Sequence, residues 1–147
     1  MKALTDEWIL IAAVGVVVVL GLAVVRWRER RWIAKRRPGA SPLNIGFGVK
    51  FFGLDSERGV TRAVAGFLVL FPELLLFLAR FSRLELASDV RDLTAVTHGS
   101  RHREAERGLD ALKIEFRRPD GRRETAAFAV PFPIQWEKAL WAVIRKG

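Results

Sequence analysis

Residues 63–79 read AVAGFLVLFPELLLFLA, seventeen positions with a single charge, and the fold turns on whether they form a membrane helix or a pair of strands. Eleven of them are Val, Leu or Phe, which favours insertion into a bilayer by roughly 3–6 kcal/mol. Against this, Glu73 near the middle is costly in hydrocarbon if ionised, and Pro72 beside it breaks or kinks a helix. The two sides nearly cancel. The Pro72-Glu73 pair also divides the run into two strand-sized halves, one ending at Phe71 and one spanning Leu74 to Ala79. Two strands are the expected reading. The alternative is a two-span integral membrane subunit with 63–79 as the second transmembrane helix.

The first apolar run has no such ambiguity. Trp8 to Val25, WILIAAVGVVVVLGLAVV, holds eighteen positions without a charge, twelve of them Val, Ile or Leu. Those twelve favour the membrane by roughly 4–7 kcal/mol. At about 1.5 Å per residue, Trp8 and Trp27 lie roughly 28 Å apart on a helix, close to the thickness of the hydrocarbon layer, and tryptophan prefers the headgroup zone at either end. Thr5 is the expected N-cap, with Asp6 and Glu7 at the positive end of the helix dipole. A cleaved signal peptide fits poorly, because Lys2 is balanced by two acids and no small-residue cleavage site follows the run.

The flank RWRERRWIAKRR fixes the expected orientation. Arg26, Arg28, Arg30, Arg31, Lys35, Arg36 and Arg37 follow the span and only Lys2 precedes it. Basic flanks stay cytoplasmic, so the N-terminus is expected outside and the C-terminal domain in the cytoplasm. The absence of cysteine agrees with a reducing compartment. Of the net charge of +9, more than half falls within residues 1–37. The expected membrane contacts are Trp8, Arg26, Trp27, Arg28, Arg30, Arg31, Trp32, Lys35, Arg36 and Arg37, with anionic lipid attracting the cations by about 1 kcal/mol each. No recognition helix, RNA-stacking signature or zinc pattern points to a nucleic-acid partner.

The chain therefore divides into a transmembrane anchor over 1–25 (span 8–25), a basic juxtamembrane segment and linker over 26–42, and a domain over 43–147. Pro38-Gly39-Ala40-Ser41-Pro42 marks the boundary. Within the domain, Leu43 to Gly53 is rich in Phe and Gly, and 54–59 is turn-forming. Leu84 to Thr97 reads as an exposed strand and its approach, and His98 to Gly108 as a polar loop. Leu112, Ile114 and Phe116 alternate with Lys113, Glu115 and Arg117, the pattern of a half-buried strand. Pro119-Asp120-Gly121 supplies a turn, and Ala126, Phe128 and Val130 give the partner strand. Pro133 suits the first turn of a helix, whose buried face is Trp136, Leu140, Val143 and Ile144.

The order of these elements resembles a bacterial pleckstrin-homology/GRAM-like domain from Phe51 onward. The matching segments are ERGVTRAVAGFLVLFPELLLFLARF, LELASDVRDLTAV, LDALKIEFRRPDGRRETAAFAV and PIQWEKALWAVI. A G-x-L-x-L hairpin pattern falls on Gly66, Leu68, Leu70, Leu75 and Phe77. A strand element follows on Leu93 and Val96, and a C-terminal helix bears Trp136. The resemblance implies a seven-stranded antiparallel barrel capped by that helix, and a binding rather than catalytic role. Eukaryotic relatives often hold phosphoinositides through basic residues near the first strand loop, where this chain has Arg58 and Arg62. That is not a dense basic motif, so headgroup specificity does not carry over. Some such domains self-assemble.

No catalytic or cofactor constellation stands out. His98 and His102 are four apart, but Arg101 and Arg103 beside them repel a cation, and solvated loop histidines are the expectation. Glu85, Asp89 and Asp92 carry no matching base and read as a polar strand face. Gly46-Phe47-Gly48 lacks the following glycine of a nucleotide loop, and Ser88 and Ser100 lack a nucleophile elbow. Trp136 reads as a core anchor. The expected function is a membrane-anchored, cytoplasm-facing module that recognises a protein partner, itself or anionic lipid, with no enzymatic activity, cofactor or metal.

Overall fold

The computed structural model describes residues 2–56, 63–99 and 111–147, in two compact units, Met1–Ala40 and Ser41–Gly147. The first is one helix, α1 (Lys2–Arg36), about 52 Å long by its 35 residues. Thr5, the expected N-cap, lies outside the residues whose side chains are described. The helix does not stop where the apolar run ends, and the basic flank continues it to Arg36. Residues 6–28 are exposed all round. Among the described residues it is the one helix long and apolar enough to cross a membrane, with none of its apolar window buried.

The second unit has, among the described residues, seven antiparallel strands and a C-terminal helix: β1 (Asn44–Leu54), β2 (Val64–Leu70), β3 (Leu74–Ala79), β4 (Glu85–Asp89), β5 (Leu93–Gly99), β6 (Ala111–Arg117), β7 (Arg123–Ala129) and α2 (Pro133–Lys146). They form one sheet in the order β4-β3-β2-β1-β7-β6-β5. Residues 63–79 are thus a hairpin, not a second membrane helix. Leu68 pairs with Phe77 and Leu70 with Leu75. Pro72 and Glu73 are the exposed turn, closed by the Phe71 N–H donating to the Leu74 carbonyl at 2.8 Å.

This hairpin resembles a membrane span because both of its faces are buried. Leu68, Leu70, Leu75, Phe77 and Ala79 point into the core cluster. Phe67, Val69, Leu76 and Leu78, on the opposite face, are buried as well. A strand buried on both faces shows a continuous apolar run in place of alternation.

β1 joins the two halves of the sheet, pairing with β2 on one side and β7 on the other. It is irregular at two places, between Gly46 and Val49 against β2 and between Phe51 and Gly53 against β7. Gly48 (φ 69°) and Gly53 (φ 107°) lie at these bulges, where left-handed backbone favours glycine. The bulged strand brings residues from both halves onto one core. Phe51, Phe77 and Phe128 form a triangle of rings with centroids 5.2–5.5 Å apart.

The segment Leu84 to Thr97 differs from a single exposed strand. It contains β4, a 3-10 turn (Val90–Asp92) and most of β5. Asp89 caps that turn by accepting from the Arg91 N–H at 2.9 Å. α2 lies against β5, β6 and the 3-10 turn. Phe132 precedes it in a left-handed conformation, and Pro133 opens its first turn. Trp136, Leu140 and Val143 are buried on its inner face, and Ile144 packs at the margin of the core. The core therefore lies between the two halves of the sheet and is covered at β5 by α2.

Candidate functional site

The strand directions gather three connections at one end of the sheet. β1 ends there, as do the β3–β4 turn (80–84) and the β6–β7 turn (118–122). The Arg80 N–H donates to the Ala65 carbonyl at 2.9 Å, which ties the β3–β4 turn to the start of β2. The Asp55 N–H donates to the Thr125 carbonyl at 3.0 Å, which ties the end of β1 to β7. The β6–β7 turn follows from its sequence: the Gly121 N–H donates to the Arg118 carbonyl at 2.9 Å and Gly121 has φ 84°, as a type I turn with a terminal left-handed glycine requires.

This end carries exposed Arg80, Arg83, Arg117, Arg118, Arg122 and Arg123. Its exposed acids among the described residues are Asp55, Glu85 and Asp120. Phe81, at the tip of the β3–β4 turn, is 89% exposed, and Leu84 is 41% exposed. Arginine is suited to phosphate because its planar fork can hold two oxygens at once.

Glu124, only 4% exposed, organises this end from inside. Its Oε1 accepts from the Ser56 N–H at 2.9 Å, and its Oε2 lies 3.5 Å from Arg118 Nη1. Burial pushes its carboxyl up. The hydrogen bonds from the Ser56 hydroxyl and N–H and the Thr125 backbone, with the charge of Arg118, outweigh burial and hold it below the ordinary 4.5. One carboxylate thus fixes the end of β1, the start of β7 and the turn before it. No sequence pattern marked Glu124. The available signal was its place on the inward face, two residues before Ala126 and four before Phe128.

The predicted membrane contacts Trp8, Arg26, Trp27, Arg28, Arg30, Arg31, Trp32, Lys35 and Arg36 all lie on α1, and Arg37 immediately follows it. At 100° per residue the cations are distributed around the helix rather than along one face. Arg31 stacks over Trp27 at 5.2 Å and Arg36 over Trp32 at 5.4 Å, an arrangement in which the indole face attracts the guanidinium. Arg58 and Arg62, the possible ligand contacts, lie outside the described residues, as do His102 and Ser100.

His98 is not in a loop. It lies on β5, exposed, and its Nδ1 contacts the Glu137 carboxylate of α2. Among the described residues no three His, Asp or Glu side chains converge as metal ligands. Glu85 and Asp89 are exposed on β4, with Asp92 on the following 3-10 turn. The glycines of Gly46-Phe47-Gly48 belong to β1: a Cβ on Gly46 would meet the Trp136 ring at 3.0 Å, and Gly48 serves the bulge. Ser88 is buried, and its hydroxyl lies 3.4 Å from the Asp89 carbonyl. Trp136 is a core anchor.

No protein-family profile matches the sequence, and no curated protein does. Solved structures do match. One is the crystal structure of the C-terminal domain of an unknown protein from Leishmania infantum, 14% identical, with a TM-score of 0.54 over 84% of this chain and 97% of that one. At that identity the likeness concerns the fold alone.

Proposed function

We propose that this is a single-pass membrane-anchored binding module, not an enzyme, whose Arg-rich hairpin end engages an anionic lipid surface on the cytoplasmic side. The observation that carries this reading is the gathering of six exposed arginines at the end of the sheet that also presents Phe81. The order β4-β3-β2-β1-β7-β6-β5 followed by a helix supports a pleckstrin-homology/GRAM-like barrel, with one core shared by both halves of the sheet. The length, hydropathy and full exposure of α1 support the anchor, and the cations over 26–37 support its orientation. An anchor confines the domain beside the membrane, so a weak surface acts at raised effective concentration.

The test is co-sedimentation of residues 41–147 with vesicles. Binding is expected to phosphatidylcholine vesicles that contain phosphatidylglycerol, to weaken with salt because exposed charges are screened, and to be lost on replacing Arg80, Arg83, Arg122 and Arg123 with Glu. Binding that ignores both lipid charge and these substitutions would exclude a lipid role for this end and favour a protein partner or a second copy.

A further inference from the structure

We infer that β4 is a docking edge for a peptide. An extended segment of a partner protein adds to it as a further antiparallel strand, with a cation opposite Asp89 and apolar side chains turned toward a crevice beside Leu86 and Ser88. Neither the arginine-bearing turns nor lipid takes part.

The sheet ends at β4, which among the described residues pairs with β3 alone. The strand at the other edge, β5, has α2 against it. The hydrogen bonds of β4 show which of its peptide groups are spare. The Ala79 N–H donates to the Leu84 carbonyl and the Val90 N–H to the Glu73 carbonyl, each at 3.0 Å. Phe77 lies opposite Leu86 and Leu75 opposite Ser88. Antiparallel alternation therefore turns the peptide groups of Leu86 and Ser88 toward β3 and those of Ala87 outward. Ala87 is exposed, and its small side chain lets a second backbone approach. An outward N–H and carbonyl on one edge residue are the groups that an added strand pairs with.

The side chains around this edge define the partner. Leu86 and Ser88 line an apolar crevice with Leu68, Phe77, Ile114 and Phe116, between the two halves of the sheet. Leu86 is half-buried and Ser88 is buried. Neighbouring strands lie about 4.8 Å apart, so a strand on β4 sets two of its side chains beside Leu86 and Ser88, at this crevice. On the other face Asp89 is exposed, and the exposed acids near it, Glu73 and Asp92, outnumber Arg91. The position opposite Asp89 therefore favours a cation. Arg80 and Arg83 precede Glu85 at the start of the strand, so no second cation is required there. A second copy fits poorly. Two β4 strands paired about Ala87 would set Glu85 of each opposite Asp89 of the other, like charges in register. Short, charged edges resist pairing with themselves, and this one keeps a surface for a partner of opposite charge.

The probe is a capped, fluorescently labelled peptide with the core Lys-Val-Thr-Val-Thr, whose first threonine falls opposite Ala87. It is titrated into the full-length protein in micelles of a neutral detergent and followed by anisotropy. Saturable binding is expected, with hydrogen exchange slowed at the Ala87 amide. N-methylation of the first threonine removes the N–H that the Ala87 carbonyl accepts, and should weaken binding at least about tenfold. Asp89→Asn keeps an acceptor for the Arg91 N–H and removes the charge, and should weaken it about two- to fivefold. Ala87→Pro removes an N–H that β3 does not use, which a sheet edge tolerates. It should abolish binding with little change in the urea midpoint. Should that variant unfold, the N-methylated peptide decides alone.

Absence of saturable binding would overturn the inference. So would binding that N-methylation leaves unchanged, because the backbone would then not be paired. An Ala87 amide protected without peptide, increasingly so at higher protein concentration, would place a second copy on β4 and overturn the peptide site.

Discussion

Glu124 shows how one side chain sets the loop end. Its folded-state pKa is depressed, so it contributes stability that is fully present above about 4.5 and is lost as pH falls through the lower folded value. Urea unfolding followed from pH 7 downward should show this acid-labile component, and Glu124→Gln should lack it. At neutral pH the same substitution should cost about 1–3 kcal/mol, because hydrogen bonds to a charged, buried acceptor are weakened. Gly66 makes a different kind of demand. A Cβ there would lie 2.2 Å from the Leu78 carbonyl oxygen and 2.8 Å from the Phe77 ring. Gly66→Ala should therefore destabilise by about 1–3 kcal/mol, the usual cost of overpacking, measured by the urea midpoint. Gly66 was legible in the sequence only as part of a pattern. The close approach of β3 to its backbone could not be read without the register.

At the scale of elements, what the sequence disclosed depended on how each strand is covered. β6 and β7 have one face in the core and one outside, and their alternation was plain. The turn between them was legible from Pro119-Asp120-Gly121, whose backbone preferences match the geometry found. β2 and β3 are buried on both faces, so periodicity was silent, and only Pro72-Glu73 marked the hairpin. β1 escaped assignment because its two bulges interrupt alternation at Gly48 and Gly53. β4 was merged with β5 because it is short, and exposed at three of its five positions. α2 was legible from the spacing of Trp136, Leu140 and Val143. Trp136→Ala should cost about 3–5 kcal/mol, read as a lowered urea midpoint. His98→Ala, which removes a partly exposed pair with Glu137, should cost under about 1 kcal/mol. The candidate site was far less legible than the fold. Its arginines lie on turns separated by some forty residues, and only the strand order brings those turns to one end.

For the molecule as a whole, two apolar segments of similar length have opposite surroundings. Residues 8–25 lie on a helix and are exposed on every side, and residues 63–79 are a strand pair buried on both faces. Composition alone could not separate them, because burial in a protein and burial in lipid select the same residues. The proposed role at a lipid surface depends on this difference, since the hairpin end exists only if 63–79 is sheet. Circular dichroism of residues 41–147 in detergent-free buffer tests it most directly. The account predicts a soluble fragment with a strand-dominated spectrum and a cooperative urea transition. A fragment that stays in solution only with detergent and gives a helical spectrum would contradict it.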